Sequence, residues 1–147
     1  MLRFGTIGSG WIADEYIHGA KDSGLWELTA VYSRTQERAA AYAKQHGAKH
    51  AFTNLEEMAA SDVLDAVYIA SPNAFHYEQA KLFLEHGKHV ICEKPLCAQA
   101  RKVRELQQIA KNRGLVYLEA IMFLHLPQRK LLEDALGQLG QITLVKL

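Results

Sequence analysis

Apolar residues along this chain fall into short blocks, and between the blocks they recur at helical spacing. Residues 3–7 form the first block, and residues 11–21 follow with apolar positions on one stripe of an amphipathic helix. A second block at 27–32 is rich in β-branched and aromatic residues, and the alanine-rich segment 36–45 closes at Gly47, a common helix stop. A brief strand at 49–52 leads to Asn54, which suits the N-cap of a helix over 55–60. The apolar run 66–70 predicts a buried strand ended by Ser71-Pro72-Asn73, and a helix over 75–86 ends at Gly87. A strand at 89–92, a long helix at 98–112 stopped by Gly114, and a strand at 115–118 complete the series. Trp26, Tyr32 and Tyr68 fall where strand cores are expected.

Short apolar strands separated by helices predict an α/β fold, a doubly wound parallel sheet covered on both faces. The pattern changes near Pro127: a helix over 128–136 ends at Gly137, and 141–147 reads as an apolar strand. Residues 1–120 are therefore expected to form one domain, and 121–147 a linker helix and the first strand of a second, α+β domain. A terminal strand this apolar is expected to pair, either within the rest of such a domain or in a homo-oligomer, because unpaired edges are normally avoided.

Composition narrows the class without choosing a function. With 17 basic and 16 acidic residues among 147, the net charge is +1, and no field favours nucleic acid or a membrane surface. The apolar runs are far shorter than a bilayer span, and the first residues read as a strand rather than a signal peptide. Cys92 and Cys97 fit no zinc or redox spacing, so a soluble, cytoplasmic protein with reduced thiols is expected. No metal site is expected either: Gly47 breaks the helix between His46 and His50, and His86 and His89 lack a third ligand. Arg101, Lys102, Arg104 and Glu105 read as a solvated helix face.

The chemistry begins at Gly8-Ser9-Gly10-Trp11-Ile12-Ala13, directly after a strand and opening a helix. Gly8, Gly10 and Ala13 match G-x-G-x-x-G/A, in which the first glycine turns sharply and the second lets backbone approach a pyrophosphate. The third, small residue allows close helix–sheet packing. Free helix N–H groups would then hold the phosphates of a dinucleotide. Trp11 could lie over the pyrophosphate or pack on its helix. At the end of the second strand, where an NAD site carries a carboxylate, the chain has Ser33-Arg34-Thr35. Ser33 can bond a ribose hydroxyl or a phosphate oxygen, and Arg34 can pair with a 2′-phosphate, which favours NADP over NAD. The plain alternative for Arg34 is a solvated surface arginine. The missing carboxylate also speaks against a methyltransferase.

A third segment, Val90-Ile91-Cys92-Glu93-Lys94-Pro95-Leu96, ends an apolar strand on a lysine held by proline. The carboxyl ends of parallel strands are where α/β sheets bind ligands, and an ammonium there can polarise a carbonyl and move a proton. With the glycine turn, Ser33-Arg34-Thr35, Ser71-Pro72-Asn73 with His76, and Glu93-Lys94-Pro95 in this order, the chain resembles the Gfo/Idh/MocA oxidoreductases. That family includes glucose–fructose oxidoreductase and inositol dehydrogenase. The resemblance implies a Rossmann fold binding NADP or NAD and hydride transfer to or from a small hydroxyl or carbonyl compound, a sugar or polyol. It implies that Ser71, Pro72 and Asn73 border the nicotinamide side, with His76 beside them, although a histidine in a first helical turn can equally be polar surface. It implies that Glu93 bonds the nicotinamide ribose, that Lys94 is catalytic, and that the Lys94–Pro95 peptide is cis. Glu119-Ala120-Ile121-Met122 resembles the family's segment joining two domains.

The chain departs from the family after that segment, where Phe123-Leu124-His125-Leu126-Pro127 replaces the usual arginine and aromatic; His125 is the candidate substitute. The resemblance further implies a substrate domain following Leu147, so this chain is expected to be mainly the cofactor part of a truncated oxidoreductase. The rival expectation is a non-catalytic Rossmann module that only binds nucleotide.

Overall fold

Each apolar block becomes a strand that buries alternate side chains on two faces. The computed structural model describes residues 1–138 and residue 140. Strands β1 (Leu2–Ile7), β2 (Trp26–Tyr32), β3 (His50–Phe52), β4 (Ala66–Ile69), β5 (His89–Glu93) and β6 (Tyr117–Ala120) form one sheet. Its order is β3-β2-β1-β4-β5-β6, with every neighbouring pair parallel. The helices are α1 (Trp11–Ser23), α2 (Gln36–His46), α3 (Leu55–Ala60), α4 (His76–Glu85), α5 (Ala100–Asn112) and α6 (Gln128–Leu136).

Side-chain alternation sorts the core into two layers. On one face Phe4, Val31, Ala66 and Tyr68 pack against Ala13, Ile17 and Ala20 of α1 and Tyr42 and Ala43 of α2. On the other face Ile7, Ala30, Val67, Ile69, Val90 and Cys92 meet Met58 of α3, Phe83 and Leu84 of α4, and Leu106 of α5. The sheet is therefore doubly wound as expected. Burial pushes the Cys92 thiol up to about 12, which keeps it an inert core residue. No helix among the described residues is long and apolar enough to cross a membrane.

Caps follow the sequence closely. The Asn54 side chain accepts from the Glu56 and Glu57 amides, and Gly47 ends α2 in the left-handed conformation at φ 78°. Most boundaries fall within one or two residues of expectation, and three departures stand out. The last strand lies at Tyr117–Ala120 rather than 115–118, because the Leu115 amide is still used to close α5, on the Ala110 carbonyl. Helix α5 starts at Ala100 rather than 98, after an extended Gln99. The segment at 75 splits into a 3₁₀ turn, Asn73–Phe75, followed by α4. Of the three aromatics expected in strand cores, Tyr68 is buried but Trp26 and Tyr32 are only half-buried. The strand expected at 141–147 lies outside the described residues.

The start of β1 is tied to the loop before β4. The Arg3 guanidinium donates twice to the Asp65 carboxylate, at 2.6 and 3.1 Å, and the Arg3 amide donates to it at 3.0 Å. These bonds lower the Asp65 carboxyl from its ordinary 3.8 to about 2. Because the folded value is the lower one, the stabilisation is full above about pH 3.8 and is lost as pH falls through about 2. Both side chains are about two-fifths to one-third exposed, so solvent screening holds the pair to about 1 kcal/mol or less. Asp65→Asn is expected to lower Tm by about 2–4 °C at neutral pH. It should also flatten the loss of stability below pH 3.8 in acid titrations followed by circular dichroism.

Candidate functional site

Strand order reverses between β1 and β4, so the connections leaving their carboxyl ends run in opposite directions and open a crevice. The glycine turn fills the near side of it. Gly8 takes φ 111°, and a Cβ there would collide with the Ala70 carbonyl oxygen just past β4. Ala70 is fixed in turn by its amide bond to the Ile7 carbonyl at 2.8 Å. Gly10 differs: it is the N-cap of α1 with an ordinary φ of −93°, and a Cβ added to it meets nothing within 4 Å. Neither backbone strain nor internal packing requires a glycine at that position. What it leaves is clear space at the first turn of α1, where the Ala13 amide already donates to the Gly10 carbonyl at 2.9 Å but the Trp11 and Ile12 amides precede the intrahelical ladder and carry the positive end of the helix dipole. Ala13, fully buried, lets α1 sit close on the sheet.

Beside this turn lies a cleft of about 450 Å³. Gly8 and Ser9 form one side, Tyr32, Ser33, Arg34 and Arg38 a second, and Ala70, Ser71, Pro72, Phe75 and Gln79 a third. Thr35 is not among these residues: it is the N-cap of α2, its hydroxyl accepting from the Arg38 amide at 3.4 Å. Its part is to start α2 so that Arg38 reaches the same wall as Arg34. Among the described residues neither guanidinium forms an ion pair. Opposite them the Ser71 hydroxyl donates to Gln79 Oε1 at 2.5 Å, on the buried side of α4.

The turn after β5 is held from three directions. The Tyr68 phenol donates to Glu93 Oε1 at 2.6 Å, and the Leu96 amide donates to Glu119 Oε1 of β6 at 3.1 Å. The Pro95 carbonyl faces His76 Nδ1 at 2.9 Å, while His76 Nε2 faces the Ser71 carbonyl at 2.8 Å. His76 is fully buried, so the surface reading of it is wrong: the ring lies under two loops and links them. The Lys94–Pro95 peptide is cis. Lys94 itself is exposed and forms no ion pair among the described residues. Next to this turn a second cleft, about 520 Å³, is lined by Ile12, Tyr68, Glu93, Glu119, Met122 and His125 among others.

The structure thus brings Gly8, Ser9, Ser33, Arg34, Ser71 and Pro72 together in one cleft, and Ile12 and Glu93 in the other. Gly10 stands at the head of α1. Asn73 is exposed at the start of the 3₁₀ turn. Trp11 is 73% exposed, so it does not pack on its helix. Arg38, Gln79, Tyr68 and Glu119 were not legible as site residues. Arg38 carried a signal, since it lies four residues after Arg34; the other three become site residues only through tertiary neighbours. No group of histidine, cysteine, aspartate or glutamate among the described residues could hold a metal.

Sheet order, glycine turn and paired clefts define a dinucleotide-binding Rossmann domain. Comparison with known proteins gives the class: residues 2–120 match the family model Gfo/Idh/MocA, described as an oxidoreductase family with an NAD-binding Rossmann fold. The chain belongs to the Gfo/Idh/MocA family. It is 50% identical over 142 residues to scyllo-inositol 2-dehydrogenase (NADP(+)) of Bacillus subtilis, covering 97% of this chain and 43% of that protein. It is 32% identical over 145 residues to D-xylose 1-dehydrogenase (NADP(+)) 2 of Haloferax volcanii, covering 98% and 45%. Among solved structures, the 3-ketoreductase KijD10 of Actinomadura kijaniata, in complex with NADP, matches with a TM-score of 0.87 and 33% identity. That match covers 93% of this chain and 44% of KijD10. The chain therefore spans less than half the length of the relatives it matches.

The two glycines separate fold from binding. Gly8→Ala is expected to lower Tm sharply, because both φ and the Ala70 carbonyl oppose a Cβ. Gly10→Ala should leave Tm within a degree or two while weakening dinucleotide binding about tenfold or more, measured by calorimetric titration.

Proposed function

We propose that this chain binds NADP(H) and forms the cofactor part of an oxidoreductase acting on a sugar, polyol or related hydroxyl compound. One observation carries the cofactor choice: Ser33, Arg34 and Arg38 line a single cleft beside the glycine turn, with no carboxylate on that wall. Two guanidiniums and a hydroxyl there suit a 2′-phosphate, which offers acceptor oxygens in fixed directions. The relatives named above that specify a cofactor specify NADP(+), in keeping with this reading.

In this arrangement the first turn of α1 would hold the pyrophosphate, and Ser71, Pro72 and Asn73 would flank the dinucleotide from the β4 side. Glu93 bonds the nicotinamide ribose. A bound nicotinamide would supply a hydride donor or acceptor to a compound held beside Glu93 and Lys94. Lys94 donates a hydrogen bond to the substrate's carbonyl oxygen. When the carbonyl carbon is reduced, Lys94 Nζ would give a proton to the oxygen to form the alcohol, and in oxidation it would take that proton back. Such proton transfer contributes roughly 10²–10⁴ in rate. His125, which lines the second cleft, takes the place of the family's arginine as a polar contact to the substrate. Two free cysteines and a near-even charge fit a cytoplasmic setting. Self-association through residues 141–147 is part of the same proposal, and light scattering showing a monomer at high concentration would count against it.

Parallel titrations of this chain with NADPH and NADH test the cofactor reading. Tighter binding of NADPH is expected. Arg34→Ala or Arg38→Ala should each weaken NADPH about tenfold to hundredfold, with NADH changed by less than about threefold. Equal losses for both dinucleotides would remove the 2′-phosphate assignment.

A further inference from the structure

We propose that Tyr68 is a positioning residue that aims Glu93 at the nicotinamide end of the dinucleotide. The inference rests on the proposed bond between Glu93 and the nicotinamide ribose. In the parallel register Tyr68 stands opposite Ile91, and Glu93 follows Ile91 by two, so Tyr68 and Glu93 share one face of the sheet. Both line the second cleft. The phenol reaches Glu93 Oε1 at 2.6 Å, the short separation of a charge-assisted bond. The other contact to that carboxylate is weaker, the Lys94 amide to Oε2 at 3.3 Å. Among the described residues no cation pairs with Glu93. Its orientation therefore depends on Tyr68, with Oε2 left able to accept from a ribose hydroxyl.

Tyr68 is itself held firmly. It is 2% exposed, and its ring stacks on Tyr16 of α1 at 3.7 Å between centroids and 6° between planes. The position of the hydroxyl is thus fixed by the same helix whose first turn faces the crevice. Burial, and then the Glu93 carboxylate beside it, hold the phenol far above its ordinary acidity range, so it remains a donor at any working pH. A group that never loses its proton orients a neighbour and does not shuttle protons. Nothing in the linear sequence joins Tyr68 to Glu93.

The test titrates NADPH and, separately, 2′,5′-ADP, which carries only the adenosine half, against the wild-type chain, Tyr68→Phe, Glu93→Ala and the double variant. Phenylalanine keeps the stacked ring and removes one hydroxyl, and Tm reports whether the fold is intact. Tyr68→Phe is expected to weaken NADPH about tenfold, leave 2′,5′-ADP within about twofold, and add little to Glu93→Ala, as coupled residues do. If Glu93→Ala weakens NADPH and Tyr68→Phe does not, the inference fails and the role of Glu93 stands. If Tyr68→Phe weakens both ligands alike, or adds in full to Glu93→Ala, the tyrosine acts through the fold and the inference again fails. If Glu93→Ala leaves NADPH binding unchanged, the proposed role of Glu93 falls, and the inference with it.

Discussion

The contact on which the rest depends is the approach of the β1 turn to the end of β4, where Gly8 lies against the Ala70 carbonyl. Strands β1 and β4 are neighbours, and the chain leaves them toward opposite faces of the sheet. A side chain at Gly8 would force the two loops apart. With hydrogen there, the first turn of α1 and the Ser71-Pro72 loop border one crevice, and every other group assigned to the site is placed relative to it. The parallel sheet supplies the rigidity. Helices α3, α4 and α5 cover one face, and α1 and α2 cover the other over β3, β2, β1 and β4, so the sheet is backed from both sides at the crevice.

Hydrogen bonds to backbone matter more at this site than ion pairs. Glu119 is spent on the Leu96 amide, and the His76 ring lies between two carbonyl oxygens from different loops, to one of which a neutral imidazole donates. Each is buried or half-buried, where leaving a partner unmade costs about 1–3 kcal/mol. The ion pairs on the surface, such as Lys49 with Glu27, contribute about 1 kcal/mol at most. Lys94, Arg34 and Arg38 stand apart from both groups. Among the described residues they form no ion pair, which keeps the Arg34 and Arg38 charges available in the first cleft and leaves Lys94 exposed on the turn after β5.

The second cleft opens along an apolar margin. Leu118 and Met122 on it are about half and two-thirds exposed. That margin adjoins Glu93 and His125, so the polar groups that would meet a substrate are bordered by surface with little affinity for water. Under the proposed function, the cleft assigned to the cofactor is lined from three sides and the one assigned to the substrate is bordered by exposed apolar surface. The proposed phosphate contact of Arg34 and Arg38 is consequently better specified by this chain than any contact to a particular hydroxyl compound.

Much of this protein was legible in its sequence. Local rules acted there without interference: short apolar blocks gave strands, Asn54 and Gly47 bounded helices, and Gly8, Gly10 and Ala13 marked the turn by their lack of bulk. The Lys94–Pro95 turn was visible because the proline ends the apolar strand and leaves the lysine at its carboxyl end, where parallel sheets bind ligands. The last strand was displaced because a helix cap took the Leu115 amide, a competition between neighbours that composition does not reveal. Tertiary structure alone decided that His76 is buried, that Glu119 anchors a turn 23 residues away, and that Tyr68 meets Glu93. These contacts cross between strands and loops brought together by the sheet. A hydrogen bond depends on distance and direction in space, and neither is encoded by the identity of one residue or its nearest neighbours.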